Sequence, residues 1–114
     1  MLNERDRNIL TKIISEIDFL LNDINGIGLN DFMTNERLRR SVALTLLNIG
    51  ELANHISKDI KNAYPDVLFH KVIALRHVTA HGYHQLKFDL VWKTATTDIL
   101  IMKKQIMNIL HPLG

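Results

Sequence analysis

Apolar side chains recur at steps of three and four along nearly the whole chain, and no segment alternates apolar with polar as a half-buried strand does. The first such stretch carries Ile9, Leu10, Ile13, Ile14, Ile17, Leu20, Leu21 and Ile24, one apolar stripe on one helix. Asn3 is placed to cap its start, where a side-chain oxygen can accept from a free first-turn N–H. Gly26 and Gly28, which tolerate positive φ, predict its end. A second helix is predicted from Thr34 or Asn35, carrying Leu38, Val42, Leu46, Ile49, Leu52, Ala53 and Ile56. Residues 57–64 read as a frayed or short turn that Pro65 closes. A third helix is predicted from near Leu68 to Gly82. A fourth starts between Phe88 and Leu90 and carries Val91, Trp92, Ala95, Ile99, Met102, Ile106 and Leu110. Short connections favour antiparallel neighbours, so the expected fold is all-α, an up-and-down bundle of four main helices plus short helical turns. Nothing resembling a linker or repeat interrupts the 114 residues, which are expected to form one domain.

Composition removes several functions. The chain has no cysteine, which excludes disulfides, thiolate metal sites and a cysteine nucleophile. No apolar run approaches the roughly 18 residues of a membrane span. Residues 1–8 are charged and polar, unlike a signal peptide, so the expected compartment is the cytoplasm. A formal net charge of +2 permits an anionic partner without requiring one. Arg37, Arg39 and Arg40 form the densest basic cluster, read as a solvated helix start or as a phosphate-contacting patch.

Chemistry concentrates at the end of the third predicted helix. Three of the six histidines fall within residues 77–84, and Arg76, His77, Thr79, His81, Tyr83 and His84 share nine positions. Arg76 and His81 are five residues apart, about 140° around an unbroken helix, so they converge only if the helix ends or distorts between them. Gly82, directly after His81, predicts the termination of the helix. Unpaired carbonyls at a helix C-terminus favour a cationic imidazole, which could then exchange protons near neutral pH. RNA cleavage suits such a pair. The 2′-hydroxyl of RNA is an internal nucleophile, so neither a protein nucleophile nor a metal is needed. Histidine moves the proton, and the planar arginine fork matches the crowded phosphorane. This chemistry leaves a 2′,3′-cyclic phosphate.

Arg76-x4-His81-x-Tyr83 resembles the R-x4-H-x-Y signature of HepT-like toxins in the HEPN superfamily. NIGELANHIS at 48–57, AYPDVLFHKVIALRH at 63–77 and HGYHQLKFDLVW at 81–92 are similar to further segments of that family, in the same order. Two positions depart from it: His77 stands where asparagine is more common, and Phe69 where tryptophan is. The resemblance implies a homodimer with the two motifs facing each other across a two-fold axis, and a composite cleft between them. It also implies a partner, a minimal nucleotidyltransferase of the MNT type, that silences the toxin by adding AMP to Tyr83. An adenylate there would oppose RNA entry through its charge and bulk. Arg76 and His81 are then catalytic and Tyr83 the modified residue. His77 would hold a phosphate or a backbone group, and no cofactor or membrane contact is implied.

Other readings of the same residues remain open. Arg76 could form a surface or interface ion pair, His81 a helix-terminal cap, and Tyr83 could be a half-buried aromatic. His77 and His81 stand at i and i+4, and with His84 could form a metal site. No acid lies between them, however, and the nearest downstream is Asp89. Glu51 could orient Arg76 or face solvent. A non-catalytic helical module that binds and regulates a nucleotidyltransferase or nucleotide is the main alternative function. His55 and His70 read as surface or interface residues, Phe88, Trp92, Met102 and Met107 as core, and Lys103 and Lys104 as a solvated face.

Overall fold

The computed structural model describes the backbone of residues 2–81 and 83–112, and the side chains of those residues other than 76–81 and 83. The described chain is all-α, a bundle built on long helices with short ones at its corners. Helix α1 spans Glu4–Asp23, and Asn3 caps it by accepting from the Asp6 N–H at 2.7 Å. Its stripe is buried as the spacing predicts, with Leu10, Ile13, Ile17 and Leu20 fully inside. Gly26 has φ of 75°, the one positive value among the described residues, so the turn there depends on glycine. Gly28 has an ordinary extended backbone and serves as N-cap of α2, so its expected conformational role is not found.

Helix α2, Leu29–Thr34, was not expected. At six residues it is too short to show a period, yet it inserts Phe32 fully into the core. Phe32 lies 4.8 Å from Trp92 and 6.4 Å from Phe88, centroid to centroid. Helix α3 spans Glu36–Asn54 and is capped by Asn35, one of the two predicted candidates, which accepts from the Leu38 N–H. The expected turn after it is helix α4, Lys58–Ala63, capped by Ser57.

The last predicted helix is three pieces: α6, Phe88–Lys93; a π turn, Thr94–Asp98; and α7, Ile99–Leu110. Threonine chemistry accounts for the interruption. The hydroxyls of Thr94 and Thr96 donate to the carbonyls four residues back, Leu90 (2.9 Å) and Trp92 (2.7 Å), and compete with the helical ladder. The Ile99 N–H then reaches back five residues to the Thr94 carbonyl.

Helix α3 is the centre of the bundle, packed against α1 on one side and α5, Phe69–His81, on the other; α7 packs on α1. One apolar core runs through these helices. Met102 lies in it as expected, but Met107 is 37% exposed and is not core. Among the described residues, no helix is long and apolar enough to cross a membrane.

Candidate functional site

Helix α5 carries Arg76, His77 and His81, and a 3₁₀ turn, Tyr83–Gln85, follows. Its start is firmly held. Phe69 and Val72 are buried in the core, so phenylalanine fills the aromatic position where tryptophan was expected. Lys71 Nζ sits 2.6 Å from Asp98 Oδ2 of the π turn. Gln105 of α7 donates to the Asp66 carbonyl at 3.0 Å and fixes the approach to α5. The far side of the motif is anchored by Leu86 and Phe88, both packed against the core.

The side chains of Arg76, His77, His81 and Tyr83, and all of Gly82, lie outside the described residues. The backbone still decides one question. Helix α5, predicted to run from near Leu68 to Gly82, is continuous from Phe69 through His81, so the condition for Arg76 and His81 to converge within one copy, an end or distortion between them, is not met by the backbone. Positions 76 and 81 therefore stand about 140° apart around one helix axis.

Other residues singled out in the sequence are described. Glu51 is exposed on α3, the helix along which α5 packs, and it is not without a partner. His84 and Asp89 are exposed, as are His55 and His70. Among the described residues, no three histidine or acidic side chains gather to hold a metal. Trp92 and Phe88 are half-buried within the aromatic cluster around Phe32.

The basic cluster resolves into separate roles. Arg39 is neither solvated nor free for phosphate. Its guanidinium donates to the carbonyls of Phe32 (3.4 Å) and Met33, closing the end of α2, and lies 5.2 Å from the Phe88 ring centroid. Arg40 pairs with Glu36 one turn back at 3.3 Å. Sequence reasoning missed Arg39 because its partners come from α2 and α6, and α2 was not predicted. Lys103 pairs with Asp18 at 2.7 Å across α7 and α1.

An apolar pocket of about 230 Å³ opens between α5 and α6, lined by Leu75, Gln85, Leu86, Lys87, Leu90 and Val91. It was not foreseen, since its walls come from residues on both sides of the motif that read as ordinary helix and turn.

A family model described as ribonuclease HepT-like matches residues 9–109, which include the whole motif. A provisionally named RNase of Methanocaldococcus jannaschii is 30% identical over 104 residues, 91% of this chain and 90% of that protein. Another, from Caldanaerobacter subterraneus subsp. tengcongensis, is 27% identical over 105 residues, covering 92% and 94%. A protein of Thermococcus cleftensis provisionally named ribonuclease HepT is 25% identical over 97 residues, covering 85% and 88%. No solved structure matches the chain. With a match over most of its length, and with helices at the positions where the motif segments lie, the chain belongs to the ribonuclease HepT-like family.

Proposed function

We propose that this protein is a metal-independent endoribonuclease, the toxin of a HEPN/MNT-type pair, acting in the cytoplasm. The observation that carries the reading is the family match across residues 9–109, which spans Arg76-x4-His81-x-Tyr83 at the end of α5. The relatives' RNase names agree with it. Arg76 stabilises the phosphorane and His81 transfers the proton. His77 supports the phosphate, and Glu51 orients Arg76.

The unbroken helix bears on assembly. If one copy cannot bring positions 76 and 81 together, a second copy across a two-fold axis can supply the missing half, and the reacting phosphate sits in the cleft between them. Helix α5 suits such a place. Its main neighbour is α3; Ile73 and Leu75 pack against the core yet stay half-buried, and Ala74 is exposed. A nucleotidyltransferase partner silences the cleft by adding AMP to Tyr83.

The test is cleavage of RNA by the purified chain in EDTA, with His81→Ala as control. Cleavage by the wild type alone, leaving 2′,3′-cyclic phosphate ends, supports the reading. Strict dependence on added zinc would favour a metal site at His77, His81 and His84. No cleavage by folded protein on several RNAs would favour the regulatory binding module.

A further inference from the structure

We infer that the seam between α1 and α7 is a docking groove for an acidic amphipathic helix of another protein. The inference uses none of the motif residues and is independent of the ribonuclease reading.

The first observation is an apolar groove. Helix α7 buries Ile99, Met102, Ile106, Ile109 and Leu110 in the core, yet its outer face keeps Leu100, Ile101 and Met107 exposed. Leu100, Lys104 and Met107 stand at steps of four and three, one stripe about 10 Å long. Half-buried Leu21 of α1 forms the opposite wall. The two helices border a groove of about 520 Å³, lined by Leu21, Leu100, Lys103, Lys104, Met107 and Asn108. A scattered surface leucine needs no account, but three apolar side chains converging on one groove do. Two turns of stripe match the spacing of the anchors of a docked helix.

Charge selects the occupant. Helix α7 carries two lysines and no acid. Lys103 reaches Asp18 of α1 at 2.7 Å and is neutralised there. Lys104 is exposed and makes no hydrogen bond or ion pair among the described residues. Arg7 of α1 adds a cation at the end of the seam, where it donates to the Leu110 carbonyl at 3.3 Å. Three cations against Asp18 leave the seam positive, and an acid on an incoming helix supplies what Lys104 lacks. A second copy does not supply it, because a two-fold contact would set one Lys104 against the other. A membrane surface calls for a basic cluster, and this seam is a groove with a single free lysine. An RNA strand draws its affinity from several phosphate contacts, of which one free ammonium provides one.

The experiment follows the methyl signals of Leu21, Leu100 and Met107 by NMR while stapled helical peptides are titrated into the full chain. The peptides carry leucines on one face and differ at one flanking position, which is glutamate, glutamine or lysine. The glutamate version should shift all three residues and bind about fivefold tighter than the lysine version. Lys104→Glu should reverse that order, and Leu100→Asp should abolish the shifts while the helical circular dichroism is kept. Binding by no version, equal binding by the glutamate and lysine versions, or an order unchanged by Lys104→Glu would overturn the inference. So would any of three other occupants. A fall in assembly mass on Leu100→Asp would assign the groove to a second copy. Binding of phosphatidylglycerol vesicles that Leu100→Asp removes would assign it to a membrane. Tighter binding of single-stranded RNA than of the glutamate peptide at the same methyls would assign it to RNA.

Discussion

Asp6 offers the sharpest test of how the frame beneath the motif is held. It is fully buried in the first turn of α1, yet it is an acid beside an apolar stripe. Ser57, fifty-one residues away, accounts for it. The Ser57 N–H donates to Asp6 Oδ1 at 3.0 Å, and its hydroxyl donates to Oδ2 at 2.6 Å. Ser57 Oγ in turn accepts from the Ile60 N–H at 3.3 Å as the cap of α4. One carboxylate thus fixes α1 to the start of α4, the helix that leads through Pro65 into α5. Arg5 approaches Asp6 at 3.9 Å but is itself exposed, so it contributes little.

Truncation by Asp6→Ala removes two hydrogen bonds to a charged group, at about 1.5–3 kcal/mol each. Ser57 is half-buried, so its released donors recover water in part, and a net loss of about 3 kcal/mol is expected. Against a total of about 5–15 kcal/mol that is a large fraction, and it lowers Tm by roughly 10–15 °C. Asp6→Asn keeps an acceptor for the Ser57 N–H and should lose about half as much. The assay is urea and thermal unfolding of the wild type, Asp6→Ala, Ser57→Ala and the double variant. The two residues should show a coupling of at least about 1 kcal/mol. A single-variant loss below about 1 kcal/mol, or additive losses, would refute the clamp.

Three further outcomes are expected. Phe32→Ala empties a fully buried site between Phe88 and Trp92 and should lose about 3–5 kcal/mol in urea unfolding; a loss under about 1 kcal/mol would mean that α2 does not complete the core. Burial, opposed by Asp6 and aided by Lys58, holds the Lys61 ammonium below its usual pKa of 10.5. The fold therefore binds fewer protons than the unfolded chain between that lowered value and 10.5, and the contribution of Lys61 to stability rises with pH across this window. The stability of the wild type minus that of Lys61→Met should rise from neutral to alkaline pH, and a flat or falling difference would contradict the burial. Mass spectrometry after incubation with the partner nucleotidyltransferase and ATP should place AMP on Tyr83 and show cleavage suppressed; an unmodified Tyr83 would remove that mode of control.

The long helices were legible because each buries one stripe against a single core, and a stripe leaves a period in the sequence. What escaped was either too short for a period or made by distant partners. Helix α2 has six residues, and its one buried aromatic reads locally as a loop phenylalanine. The π turn follows from threonine hydroxyls, which alter the ladder without disturbing the apolar spacing. Met107 lies on α7 outside its buried set of Ile99, Met102, Ile106, Ile109 and Leu110 and is 37% exposed. Asp6 and Arg39 are polar residues whose environments are set by Ser57, Met33 and Phe88, so local sequence describes them as surface. The motif was legible as a pattern of residue types, and the helix predicted from near Leu68 to Gly82 is α5, Phe69–His81.

That course turns the assembly of the site into a question of which copy supplies which group. Positions 76 and 81 lie about 140° apart on α5, so a phosphate touched by both residues of one copy would require the helix to deform. A two-fold neighbour removes the need, since Arg76 of one copy can meet His81 of the other. The two arrangements give opposite results in a mixing experiment. Arg76→Ala and His81→Ala proteins, each inactive alone, are combined and allowed to exchange subunits. If the site is shared, a mixed dimer keeps one whole site of two, and half of all dimers are mixed. About a quarter of the wild-type RNA cleavage should return. If each site takes both residues from the same copy, no dimer in the mixture has a complete site, and nothing returns. Activity near a quarter would establish that the pair works across the axis. None, with subunit exchange verified by mass, would show that α5 yields within one chain when RNA binds, and that the unbroken helix is the resting form of the site.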